Sequence, residues 1–431
     1  MSYSERLNSV IPGGCHTYSR GDDQFPKNAP EILKGGKGSY VWDHSRKFLD
    51  YGMGLRSVTV GYADDRINIA AIQEINLGNN LTRASMTELN AAELIVSIIK
   101  SADMVKFAKN GSNVTTAAVK LARAYTGKKY IARCSQHPFF SFDDWFIGNT
   151  SIKKGVPSEV QKLTLEFNYN DVDSVNSLFD RNDQIAAVIL EPTTFEGPCN
   201  TSDGNFLQFL RKKCDENNCL LILDEMITGF RCHLGGAQEL YGVTPDLSTF
   251  GKGMANGFSV AALCGKREIM SLGGIKKKGL ERTFLLSSTH GAEMSSLGAF
   301  IETMNVYREE KVIDHILNYG KSLKDEINKI SKSLGASEYF HVTGHDFSPH
   351  YVTKNKNLEN CLLMRSVFNY EMIRCGVMMP WIALSLSHGK RELEVTCDAI
   401  EKSLNVYIKA LDHPQKYVKD HVIKPVFRKY N

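Results

Sequence analysis

The chain has 431 residues, 42% hydrophobic and 23% charged, with 34 glycines and only 12 prolines; this excludes a disordered polymer and fits a soluble globular protein with a sizeable core. Lysine and arginine number 52 against 48 aspartates and glutamates, a formal net charge of +4, and no run of five basic residues occurs, so nucleic acid is not an expected partner. The densest basic cluster, KKKG at 276–279, reads as a solvated loop.

No stretch approaches the eighteen or so consecutive apolar residues of a membrane span. The ten cysteines lack CxxC pairs, and the polar start MSYSERLNSVIPGG has no apolar leader, so neither a disulfide framework nor a metal site is expected. A reducing, cytoplasmic setting follows as the expectation.

In chain order, GKGSYVWDHSRKFLDYG, ending at residue 52, alternates apolar and polar positions around a turn-like DHSRK and predicts a small hairpin. The looser GMGLRSVTVG follows. From about 61 to 295, helical patterns alternate with the short apolar runs MVKFAKNG, KYIARC, AAVILEP, CLLILDEM and VAALCG. That alternation predicts an α/β domain with a mainly parallel sheet wrapped by helices. VTTAAVKLARAYTG, closed by a glycine, and NFLQFLRKKCDENN are two of those helices. Beyond 296 a long helical stretch runs to about 335, and a mixed segment follows. The expected division is an N-terminal segment 1–60, a large domain 61–295 and a smaller C-terminal α+β domain 296–431 that packs with the N-terminal segment.

Ligands in open α/β sheets gather at the carboxyl ends of strands. There AAVILEP delivers Glu191, CLLILDEM delivers Asp224 and Glu225, and the loop after LSTF delivers Lys252 between Gly251 and Gly253. One strand-end acid alone is as well explained by a cap or turn. An acid together with a glycine-flanked lysine is what pyridoxal phosphate requires: the acid keeps the pyridine nitrogen protonated, and the amine forms the Schiff base that substrate displaces. Partial desolvation beside that ring would lower the lysine pKa and suit it to proton transfer. Gly111, Ser112 and Asn113 open a long helix, where free amides and the helix dipole favour a phosphate, although an ordinary N-cap uses the same residue types.

LILDEMITGFR followed by GVTPDLSTFGKGMANGFSVAALCGKREIM resembles the class III, fold type I pyridoxal-phosphate-dependent aminotransferases, with glutamate-1-semialdehyde 2,1-aminomutases nearest in pattern. The likeness runs from IPGG near residue 11 to SLSH near 388. It implies that Lys252 is the Schiff-base lysine, that Asp224 pairs with the pyridine nitrogen, and that Met226 packs on the ring face. Ser112 and Asn113 match the phosphate-binding turn. Ser288 or Thr289 falls where relatives send a hydroxyl to the neighbouring subunit's phosphate, which implies a homodimer with shared sites. His137 takes the stacking position on the other ring face, with Phe139 and Phe140 as alternatives or as core residues.

For substrate, the resemblance aligns Arg20 with an arginine used near the substrate carboxylate, a role its bidentate guanidinium suits, against an ordinary surface arginine. Arg56, in GMGLRSVTVG, could be a second anion contact of this chain's own. Mutases carry a glutamate shortly before the SLAH-type motif. Here GVMMPWIALSLSH has no carboxylate, and Met378, Met379 and Trp381 are expected to present an apolar, aromatic wall. The expected activity is therefore a ping-pong transaminase moving an amino group from an amino acid to an aldehyde or keto acceptor, sugar-like or small and carboxylated. The alternatives are the intramolecular aminomutase and a catalytically silent binding protein with the same fold.

Overall fold

The computed structural model describes residues 1–276, 278–279, 281–418 and 422–430; Lys277 of the KKKG cluster lies outside them. The chain forms two compact units, a smaller one of residues 1–64 and 314–428 and a larger one centred on 65–313. The division thus falls at 313/314, within the helix Val312–Ser333, rather than at 295/296, within the helix Met294–Glu309. That helix packs on Asp65–Asn76 within the larger unit.

The smaller unit opens with β1 (Gly35–Lys37), β2 (Tyr40–Trp42) and β3 (Lys47–Asp50), an antiparallel meander whose DHSRK turn joins β2 to β3. After β3 the backbone enters a left-handed turn: Met53, Gly54, Leu55 and Arg56 have φ of 40°, 57°, 62° and 68°. Left-handed geometry costs each of the three non-glycine residues about 1–2 kcal/mol, so something must hold it. The buried Asp50 carboxylate does so, accepting from the Gly52 amide at 2.7 Å, the Met53 amide at 2.9 Å and the Tyr62 hydroxyl at 2.6 Å. The Tyr62 oxygen in turn accepts from the Gly54 amide at 2.6 Å.

The larger unit contains β4 (Met104–Ala108), β5 (Tyr130–Cys134), β6 (Thr164–Phe167), β7 (Ile185–Leu190), the short ribbon β8 (Asn200–Thr201) and β9 (Gly204–Asn205), then β10 (Leu220–Asp224), β11 (Leu247–Phe250) and β12 (Ala261–Gly265). Seven of these form one sheet in the order β4-β12-β11-β10-β7-β5-β6. Only β12 runs antiparallel to its neighbours, so the sheet is mainly parallel. Every residue of β7, β10, β11 and β12 is buried, as expected of strands covered on both faces.

On one face, Val188, Leu190, Leu221 and Leu223 pack with Phe206, Phe209 and Leu210 of the helix Phe206–Glu216. The helix Gly111–Thr126 starts under an Asn110 cap, whose Oδ1 accepts from the Asn113 amide at 3.0 Å, and ends at Gly127 with φ 69°. The long helix expected beyond 296 is two helices, Met294–Glu309 and Val312–Ser333. The break is Lys311, left-handed at φ 49°, which terminates the first helix without a glycine or proline to signal it.

Returning to the smaller unit, β13 (Phe340–His345) and β14 (Ser348–Thr353) pair as a hairpin, and β15 (Val377–Met378) joins β3 in parallel. Phe340, Tyr351, Phe368 and Tyr407 form an aromatic core beneath the hairpin. All ten cysteines are free thiols. Among the described residues no helix is long and apolar enough to cross a membrane, and no group of three or more side chains is arranged to hold a metal.

Candidate active site

Parallel pairing of β10 with β11 sets Asp224 opposite Thr249, so two polar side chains meet at the carboxyl end of the sheet. The Asp224 Oδ1 accepts from the Thr249 hydroxyl at 3.2 Å and from the Met226 amide at 3.0 Å. Both bonds fall on Oδ1, which leaves Oδ2 as the oxygen to meet a ring nitrogen. Burial pushes the Asp224 pKa up to about 6, against the pull of the Met226 amide, the Lys252 charge and the Thr249 hydroxyl. A buried carboxylate whose ionised form lacks full compensation is primed to accept a cationic partner.

Lys252 leaves the end of β11 in a short 3₁₀ turn with φ 41°, and Gly251 before it is extended at φ 179°. A lysine in the left-handed region is strained, as side chains aimed at functional sites often are. A Cβ on Gly251 would stand 2.7 Å from Met226 Sδ, and one on Gly111 would stand 2.9 Å from the same sulfur. The Met226 side chain therefore lies in a cradle between the start of the helix Gly111–Thr126 and the backbone leading to Lys252. A side chain at either position would push the Met226 thioether from where it lies.

At the helix start the Asn113 amide is used by its cap, and the helix dipole directs its positive end past the Gly111 and Ser112 amides. The Ser112 oxygen accepts from the Phe142 amide at 3.1 Å and keeps its own proton to donate. Asp224, Met226, Lys252 and the Gly111 helix start are thus brought together within the larger unit, an acid, a soft apolar surface, an amine and an anion-favouring end.

A family model described as Aminotransferase class-III matches residues 23–342. The chain is 32% identical to the 3-aminobutyryl-CoA aminotransferase of Cloacimonas acidaminovorans, over 94% of this chain and 96% of that protein. It is 31% identical to the glutamate-1-semialdehyde 2,1-aminomutase of Alkaliphilus oremlandii, over 93% and 97% of the two chains. The chain belongs to the class III aminotransferases. Among solved structures, the pyridoxal-phosphate internal aldimine form of the FumI protein of Sphingopyxis sp. MTA144 superposes with a TM-score of 0.85 at 25% identity, covering 96% of this chain and 98% of the other. An omega-transaminase from Sphaerobacter thermophilus shares the fold, with a TM-score of 0.83 at 24% identity over 94% and 97% of the chains.

The aminotransferase is a fold type I enzyme and its cofactor is pyridoxal phosphate. Its residues fit that group: Asp224 Oδ2 suits a protonated pyridine nitrogen, and the helix start at Gly111 suits a phosphate. His137 is 1% exposed, and its Nδ1 accepts the Glu191 main-chain amide at 2.9 Å. That bond places the imidazole proton on Nε2, which is buried without a hydrogen-bond partner. Burial, reinforced by Arg133, lowers the His137 pKa to about 3, so the ring is neutral at ordinary pH. Phe140 is buried against Trp145 and Phe146, a core position, whereas Phe139 is 46% exposed. Glu191, at the end of β7, is buried and meets His137 through its backbone. Ser288 and Thr289 stand exposed on an irregular stretch of the larger unit.

The substrate candidates of the aminotransferase lie in the smaller unit. Arg20 is exposed, at the end of a short 3₁₀ turn. Arg56 is half-buried, and its Nη1 donates to Ser348 Oγ at 3.0 Å and to the Ile382 carbonyl at 3.2 Å. The expected wall of Met378, Met379 and Trp381 does not form. Met378 and Met379 are buried, because β15 runs parallel to β3 and sends Met378 into a cluster with Val41, Phe48 and Ile373. Trp381 is half-buried beside Met53, Val58 and Ala383, and its indole donates to the Gly52 carbonyl at 3.1 Å.

Thr249 escaped the sequence, and so did the role of Glu225, although its position at the strand end was legible. Thr249 orients Asp224, but only strand register reveals it. Glu225 is fully buried, accepts the Ala237 and Gln238 amides at 2.9 and 2.8 Å and the Thr228 hydroxyl, and so anchors the loop after β10. Burial raises its pKa to about 7. Its place directly after Asp224 was the only sequence signal.

Proposed function

We propose that this aminotransferase works between two molecules, taking the amino group of an amino acid donor and passing it, in a ping-pong cycle, to a separate aldehyde or keto acceptor. The observation that carries the reading is the buried Asp224, bonded on one oxygen only and coupled electrostatically to Lys252. Bound, pyridoxal phosphate supplies a carbonyl carbon that takes and returns the amino group and an electron-poor ring that stabilises the resulting carbanion. Asp224 holds a proton on the ring nitrogen, and Lys252 takes the proton from the donor's α-carbon. The amides of Gly111 and Ser112 and the Ser112 hydroxyl would hold the phosphate, with Asn113 completing that turn, while Met226 and His137 would pack on the ring and the Glu191 amide fixes His137.

A separate acceptor is supported by the segment 376–388, which carries no carboxylate to manage an internal amine exchange. The likeness to glutamate-1-semialdehyde aminomutases supports a small or carboxylated acceptor, with Arg20 as its carboxylate contact and Arg56 as a second anion contact. The test is a panel of amino donors with keto and aldehyde acceptors, followed by product formation. Turnover requiring both partners is expected. Conversion of glutamate-1-semialdehyde to 5-aminolevulinate without a donor would make it a mutase, and silence with every donor would make it a binding protein.

We also propose a homodimer with shared sites, in which Ser288 or Thr289 reaches the partner's phosphate. Ile69, Ile72 and Ile75, spaced three apart on the helix Asp65–Asn76, are each more than half exposed, and Leu77 and Leu81 beyond it extend the apolar surface. An apolar surface of this extent calls for a covering partner, here a second copy. Ile72→Glu is expected to yield monomer in light scattering with activity lost or sharply reduced; an unchanged dimer would place the interface elsewhere. Ten free thiols support a reducing, cytoplasmic location.

A further inference from the structure

We propose that the outward face of the β13–β14 hairpin, together with Arg56, is a binding site for a phosphoryl group. The proposal deepens the reading of Arg56 as an anion contact and does not rest on the choice of donor or acceptor.

Strand register defines the face. Phe340 pairs with Thr353 and Val342 with Tyr351, and these four side chains are buried. The alternating pairs, His341 with Val352, Thr343 with His350 and His345 with Ser348, therefore share the opposite face. His350 sits across from Thr343 and diagonal to both His341 and His345, at roughly 7–8 Å for such neighbours. Three imidazoles thus line one small surface with a threonine hydroxyl among them.

Arg56 is fixed at one end of that surface. Its Nη1 bond to Ser348 Oγ, at 3.0 Å, places the guanidinium beside the His345–Ser348 pair. It arrives there on the strained left-handed turn 53–56, which Asp50 and Tyr62 pin through three backbone amides. Strain retained and supported in this way marks a side chain whose position matters.

Asp346, the hairpin's only carboxylate, pairs with Lys324 at 2.8 Å, and Lys324 also donates to the Gly344 carbonyl at 2.7 Å. On the other side of the sheet, Arg365 lies over the Tyr351 ring at 5.0 Å and donates to the Pro380 carbonyl at 2.6 Å. Burial lowers the His350 pKa to about 4, and the neighbours that add to this, Arg56, His341, Arg365 and His345, are all basic. An arriving dianion would reverse that balance and draw a proton onto the face. A guanidinium flanked by imidazoles suits a phosphoryl group better than a single carboxylate, because three oxygens can each accept a charge-assisted bond.

The test uses the cofactor-saturated enzyme, so that its cofactor site does not take the probe, and titrates inorganic phosphate by calorimetry at pH 8 and pH 6. Saturable binding that tightens toward pH 6 with proton uptake is expected. His350→Gln, and independently the double variant His341→Gln/His345→Gln on half-exposed positions, should each weaken binding by about tenfold, the loss of one charge-assisted bond. His350→Gln should also flatten the pH dependence. Glycerol 3-phosphate distinguishes the source: tighter binding than phosphate identifies a phosphorylated small molecule, and equal binding identifies the free anion. Absence of saturable phosphate binding, affinity unchanged in both sets of variants, or acetate binding as tightly as phosphate would overturn the proposal.

Discussion

Lys252→Ala is expected to lower turnover by at least about 10²–10⁴-fold, the range lost with a positioned proton-transfer group, while leaving the fold intact. Lys252 is half-buried in a short turn whose following residues, Gly253, Met254 and Ala255, are buried. The variant should also fail to trap cofactor covalently when the enzyme is reduced with borohydride and the peptide spanning residue 252 is weighed by mass spectrometry. Multiple turnover by the variant, or trapping on another lysine, would remove Lys252 from the chemistry. A further consequence concerns Asp224. The Lys252 charge holds the Asp224 pKa down, so without it the carboxyl should keep its proton to higher pH.

Asp224→Asn is expected to lower kcat by about 10²–10⁴-fold and at the same time to stabilise the cofactor-free protein. The substitution preserves geometry, since the asparagine oxygen can accept from the Met226 amide and the Thr249 hydroxyl as Oδ1 does. The group that faces the pyridine nitrogen becomes an N–H donor, which favours the unprotonated ring and weakens its capacity to hold charge.

Stability moves the other way. The Asp224 pKa rises from 3.8 to about 6 on folding, so the charged form is the one that folding disfavours. That penalty is absent below about pH 4, grows as pH rises through 6, and stays constant above, at about 1–3 kcal/mol. The variant without cofactor should therefore melt above the parent at pH 8, and the difference should vanish toward pH 4. Glu225 titrates in the same direction in both proteins, and its rise is smaller in the variant because the Asp224 charge, the least of its causes, is gone. An Asn variant with parental kcat would reduce Asp224 to a strand-end cap; a lower Tm at pH 8 would mean that its charge is better compensated than its burial indicates.

Much of this was legible in the chain because the signals are local. Apolar runs of strand length between helical patterns required a covered parallel sheet, and all of β7 and β10 is indeed buried. Lys252 between two glycines and Asp224 at a strand end named the chemistry before any geometry was available. The misreadings share a different cause. The GVMMPWIALSLSH segment is apolar whether it lines a cleft or fills a core, and only the pairing of β15 with β3 decides that Met378 and Met379 face inward. The helix beyond 296 breaks at a lysine that adopts a left-handed conformation without any sequence signal.

The sequence by itself determined the cofactor chemistry and the fold class, because backbone periodicity and a few reactive side chains are properties of short stretches. The tertiary structure alone decided the partners: Thr249 for Asp224 across 25 residues, the Glu191 amide for His137 across 54, and Ser348 for Arg56 across 292. Such contacts depend on strand register and on which elements bury one another, and a side chain's neighbours at that range are fixed by the packing of the whole unit.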